Sequence, residues 1–222
     1  MDELRQAEIL AGTLRSRLPD RINGRDFSKT IKVPHHAVLV DAGLSYRSAE
    51  LAEGALDLIG AYRTVSALVL ARAALETAAV HFYASKYVLA AVESGDIKGC
   101  TDILFRALVG SKVYSAADTA PIQVLTALDH VDKVFPGVRN FYDQQSEIAH
   151  PNWWGAHGAY ASENESEDSV EFLPDQPRVG TAEVARGIVM ALTVLEYSHQ
   201  RLGKAMPAFI GTCERWWDAN GA

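Results

Sequence analysis

Tyr142-Asp143-Gln144-Gln145-Ser146-Glu147-Ile148-Ala149-His150-Pro151-Asn152 is the run of this sequence densest in side chains that can do chemistry. Proline disfavours the helical region for the residue before it, so a helix through this run is predicted to close at about His150. Ser146, Glu147 and His150 then share its last turn, just ahead of Trp153-Trp154. A histidine in that place can transfer a proton near neutral pH, or cap the helix and complement its dipole. Ser146 and His150 beside a carboxylate also have the composition of a nucleophilic triad. No strained elbow or glycine-rich oxyanion loop precedes Ser146, which argues against that chemistry.

A second polar pair falls where apolar residues are expected. Arg72 and Glu76 lie one turn apart on the face of a predicted helix 65–92 that also carries Leu68, Val69, Leu75, Ala79 and Phe82. A buried Arg and Glu are costly unless they pair. One reading is an ion pair that fixes helix register. The other is a polar pocket between helices, with Arg72 as an anion-binding fork and Glu76 orienting it. On the second reading Arg72, Ser146, Glu147 and His150 are the candidate catalytic residues. Glu76, Tyr142 and Asn152 are the candidate ligand-binding residues.

The seven histidines show no ligand spacing with carboxylates or cysteines, so neither metal nor cofactor is expected. A rival reading starts from Glu147-x-x-His150 and Glu196-x-x-His199, the helical units of di-iron carboxylate bundles. Such a site needs two more inward glutamates, and only Glu76 and Glu53 offer themselves. Trp153-Trp154 and Trp216-Trp217 read as core or interface anchors, or as stacking platforms.

The elements that must position these groups are helical. Apolar spacing predicts a helix over 2–18, a connection to residue 33, and helices over 34–62, 65–92, 97–109, 121–134 and 138–150. The stripe expected for 34–62 is Val38, Gly43, Tyr46, Ala49, Glu53, Leu56 and Ile59, with Pro34 at the helix start. Loops are expected at 110–120. Residues 154–160 and 169–173 read as short strands of an irregular hairpin with an acidic, mobile tip. Thr181 is the predicted N-cap of a last helix reaching about Trp217, with a kink or an end at Pro207. The expected fold is all-α, an antiparallel helical bundle with a small β-hairpin insert. Residues 1–33 form an N-terminal helix and connection, and 34–222 the bundle, as one domain overall.

With 222 residues, 48% of them hydrophobic, the chain can bury one good core. A net charge of −7 without a basic run opposes tight non-specific nucleic-acid binding, and leaves room for a local RNA pocket. Cys100 and Cys213, with no CxxC spacing, read as buried thiols in a reducing compartment. The acidic start is not a signal peptide, and Arg72, Glu76, His81 and Lys86 break the most apolar stretch as a membrane span. The expected location is the cytoplasm, without a membrane. Because 65–92 is apolar nearly all round, a homodimer through helix faces of the C-terminal half is expected.

Arg72-Ala73-Ala74-Leu75-Glu76-Thr77, followed by Ser146-Glu147-x-x-His150-Pro151-Asn152, resembles a group of uncharacterised bacterial HEPN-like proteins with Arg-x-x-x-Glu and Ser-Glu-x-x-His-Pro-Asn motifs. The resemblance covers 65–217. It implies an up-down bundle, often dimeric, and many characterised HEPN relatives are metal-independent ribonucleases of defence systems. Their catalytic signature is an arginine separated from a histidine by four to six residues. Here the matching positions hold Gln145, Gln144 and Asp143. Arg139 lies eleven residues before His150, about 16 Å along a helix, too far to share a phosphate with it. Arg72 would have to supply the guanidinium from the neighbouring helix, with His150 acting on a ribose 2′-hydroxyl. The expected function is that of an HEPN-like protein binding or cleaving RNA or nucleotides in a defence or stress system. The alternative is a non-catalytic helical interaction or dimerisation protein.

Overall fold

Among the described residues of the computed structural model (2–113, 119–164, 168–172 and 179–221) the chain forms seven α-helices and one small hairpin. The helices are α1 (Glu3–Ser16), α2 (Val33–Gly60), α3 (Thr64–Ser94), α4 (Lys98–Val109), α5 (Val124–Asp132), α6 (Val138–Ala149) and α7 (Thr181–Asn220). Strands β1 (Ala161–Asn164) and β2 (Ser169–Phe172) pair antiparallel, Ala161 opposite Phe172 and Asn164 opposite Ser169. The all-α bundle with a hairpin insert is thus the observed fold. The hairpin tip at 165–167 and part of the 110–120 loop lie outside the described residues.

Helix α3 is the axis of the bundle. It packs against α2, α4, α5, α6 and α7, while α1 lies on α2 and α7. Its buried face is largely alanine: Ala67, Ala71, Ala74, Ala78 and Ala79 have no exposed surface. Side chains that small let neighbouring helix axes approach closely. α3 is long and apolar enough to cross a membrane, yet 56% of its most apolar stretch is buried inside the chain. Val69 remains 40% exposed on it, and Leu70 and Leu89 are half-buried.

The stripe expected for α2 matches the observed one only in part. Ala49 and Ile59 are buried as expected, but so are Ala37, Val40, Ser45, Ser48, Ala52 and Ala55, whereas Tyr46 is 41% exposed and Glu53 pairs with Arg15 near the surface. The expectation followed the large side chains. Close packing of α2 on α3 selects the small ones instead.

Three local expectations are corrected. Residues 153–158 form one turn of π-helix rather than a strand; the Asn152 side chain caps it by accepting from the Gly155 N–H at 3.0 Å. Gly155 is required there, since a Cβ would collide with the carbonyls of Ile148 and His150. Thr181 is the first helical residue of α7, and Gly180 holds the cap position without a side-chain hydrogen bond. Helix α7 also continues past Pro207 to Asn220 rather than ending there. Pro207 sits on the solvent side, where water can satisfy the freed carbonyl of Gly203, and buried Leu202 and Phe209 anchor the helix on either side.

Candidate functional site

Helix α6 starts and stops where its sequence dictates. Gly137 precedes it at φ 96°, and Asp132 Oδ1 accepts from the N–H groups of Gly137 and Arg139, both at 3.0 Å. These satisfy donors that a helix start otherwise leaves open. At the other end His150 turns out of the helix to φ −86°, ψ 149°, as Pro151 requires.

Between its ends α6 meets α3 through four of the predicted residues. Arg72 Nε donates to Ser146 Oγ at 3.0 Å, and Nη2 donates to Tyr142 Oη at 2.7 Å. Nη2 also lies 3.0 Å from Glu76 Oε1, and Tyr142 Oη donates to that same oxygen at 2.8 Å. Ser146 Oγ donates in turn to the Tyr142 carbonyl at 2.9 Å. Every donor and acceptor in this ring has one consistent role. The guanidinium also lies over the Tyr142 ring, 4.8 Å from its centroid, a cation–π contact. Burial, with Glu76 adding to it, raises the Tyr142 phenol above its ordinary value, although the Arg72 hydrogen bond opposes the shift.

The pair is less buried than the apolar stripe implied. The side chains of Arg72 and Glu76 are 21% and 29% exposed. Their long stems lie on the helix surface while the heads reach the rim of the α3–α6 seam. Arg72 Nη1 has no hydrogen-bond partner among the described residues.

The other three predicted residues stand outside this ring. Glu147 Oε2 accepts from Asn152 Nδ2 at 2.7 Å, so Asn152 orders the turn after α6 with both ends of its amide. His150 is exposed, and its ring makes no hydrogen bond or ion pair among the described residues. Trp153 and Trp154 follow at 56% and 55% exposure, edge to face with centroids 5.0 Å apart. They are surface aromatics rather than core anchors. Arg139 is committed to Asp129 at 2.5 Å and Asp143 at 3.2 Å, away from His150.

The glutamates of the di-iron reading do not converge. Glu53 pairs with Arg15, Glu76 with Arg72, Glu196 with Arg17, and Glu147 bonds Asn152.

Two further features carry little sequence signal. Gln145 is fully buried, with neither atom of its amide hydrogen-bonded, and it lies against Gly187, where a Cβ would collide with it. A second cluster joins three helices: Asp41 of α2, His81 of α3 and His199 of α7. Asp41 Oδ1 sits 2.7 Å from both His81 Nε2 and His199 Nδ1, and His81 Nδ1 sits 2.7 Å from Ser198 Oγ. Burial pushes the Asp41 carboxyl up, but the hydrogen bonds from His199 and His81 prevail and hold it well below the usual carboxylate range. The bond to Asp41 raises His199 despite its burial. Only the inward position of His81 and Ser198 on their helices hinted at this cluster. The meeting of three helices is not written in residue spacing.

Cations also gather locally despite the negative net charge. Lys86, Lys133 and Arg201 line a cavity of about 290 Å³ with His130 and Tyr197, between α3, α5 and α7. Comparison with protein-family models, with curated proteins and with solved structures finds no match for this chain.

Proposed function

We propose that this chain is an HEPN-like protein that binds RNA or a nucleotide at the α6 end, with His150 as the proton-transfer group of a metal-independent cleavage. The observation that carries the reading is Arg72, which crosses from α3 to bond Ser146, one turn before an exposed His150 whose ring has no partner among the described residues. Trp153 and Trp154, over half exposed beside that turn, offer ring faces on which bases stack. Arg72 serves here as the group that holds α6 in place, with Nη1 left to meet a phosphate. His150 takes the proton from the 2′-hydroxyl, whose oxygen attacks the adjacent phosphorus; the P–O5′ bond breaks, leaving a 2′,3′-cyclic phosphate on one fragment and a 5′-oxygen, protonated by water, on the other. Incubating the protein with labelled mixed-sequence RNA in EDTA tests this. Cleavage that falls by roughly 10²–10⁴-fold in His150→Ala is the expected result. Equal product from wild type and His150→Ala would overturn it.

A second reading, a helical dimerisation module, has its own observation. Val134, Phe135 and Pro136 line an apolar groove together with Val189 and Met190 of α7, in the C-terminal half of the chain. A homodimer through this groove would scatter light at twice the 24.2 kDa monomer mass.

A further inference from the structure

We propose that Asp41, His81 and His199 bind a divalent transition-metal ion of the zinc type, joining α2, α3 and α7. The donor set is two imidazole nitrogens and one carboxylate, which suits zinc or iron(II) with a position left for water. The three donor atoms lie within 4.8 Å of one another, and among the described residues no other group of three metal-capable side chains converges this way.

The surroundings are arranged as ligand support. As it stands, His81 Nε2 donates to Asp41 Oδ1 at 2.7 Å. When a metal takes the place of that proton, Nδ1–H can donate to Ser198 Oγ, which lies 2.7 Å away and is anchored on the carbonyls of Val194 and Leu195, both at 3.0 Å. Metal-binding histidines are held in this way, with the second ring nitrogen donating to a fixed acceptor. His81 is 1% exposed, so its ring cannot swing to another partner.

Occupancy requires a small opening. Two ligands on one tetrahedral zinc sit roughly 3.4 Å apart, given metal–ligand distances of about 2.1 Å. The present separations are 2.7 Å. His199, whose side chain is 35% exposed against 19% for Asp41, has the room to move and opens the site to solvent. The site lies nine residues along α3 from Arg72, about 14 Å, and is independent of the α6 end.

The test titrates zinc into chelator-stripped protein by calorimetry, and cobalt(II) by its visible absorption. Wild type is expected to bind one equivalent, with a higher melting temperature when loaded. His199→Ala, whose folding is checked by circular dichroism, should lose the site and the cobalt band. Ser198→Ala should weaken binding by about 10–100-fold. His150→Ala, which alters the Glu147-x-x-His150 unit, should bind as wild type does. No binding by wild type, or binding unchanged in folded His199→Ala, would overturn the proposal and leave the cluster as a hydrogen-bonded lock.

Discussion

The α3–α6 ring and the α2–α3–α7 cluster stand on one helix and are built differently. In the ring, Arg72 distributes its donors over three acceptors at a rim that remains 21–29% exposed. In the cluster, one carboxylate oxygen receives two imidazoles, one of them only 1% exposed. Water can replace lost partners at the rim, and at His199, but not at His81, which is 1% exposed. The same kind of truncation should therefore cost more at the cluster, and that difference is what the following variants probe.

The largest effect is expected from Asp41→Ala, which leaves His81 buried without its carboxylate. Removing one partner of a buried pair costs about 3 kcal/mol at the low end of the usual range. For a chain of this size that lowers the melting temperature by about 6–12 °C. A melt within 2 °C of wild type would show that the cluster holds nothing together.

Arg72→Ala should cost less, about 2 kcal/mol, the value of hydrogen bonds to a charged group. It still frees Glu76, Tyr142 and Ser146 together. Equal losses for Arg72→Ala and Asp41→Ala would erase the distinction between rim and interior.

Gln145→Met should change stability in the opposite direction. A buried amide without partners pays a desolvation penalty, and an apolar side chain of similar length relieves it by about 1 kcal/mol. A less stable variant would mean that the amide is satisfied in solution.

The smallest effect concerns alkaline pH. The folded chain holds the Tyr142 proton more tightly than the unfolded chain does, because burial raises the phenol. The stability gained is complete below the ordinary tyrosine value, about pH 10, and is lost as pH rises through the folded value. Wild type should therefore lose stability above that pH more steeply than Tyr142→Phe. Parallel curves would place the Tyr142 phenol at its ordinary value.

These two regions also differ in how legible they were. The ring was foreshadowed because an i,i+4 pair on an apolar stripe and a helix stopped by proline are local patterns. Arg72, Glu76, Tyr142 and Ser146 were singled out on those grounds. Their degree of exposure was not readable, since a long side chain reaches a rim that helix phase does not show. The cluster depends on three helices meeting, which no spacing of Asp41, His81 and His199 in the sequence reveals. Part of the buried α2 face is illegible because alanine and serine carry little hydrophobic signal yet permit the closest packing. The local cost of Pro207 is evident in sequence, whereas the burial of Leu202 and Phe209 that keeps the helix continuous is not.

The central claim is that RNA engages the α6 end, and fluorescence anisotropy of a labelled single-stranded RNA tests it most directly. Wild type in low salt with EDTA should bind saturably. Trp153→Ala/Trp154→Ala should bind at least about tenfold more weakly, the value of one lost stacking contact, with an unchanged melt. No binding by wild type, or equal binding by the double variant, would contradict the account.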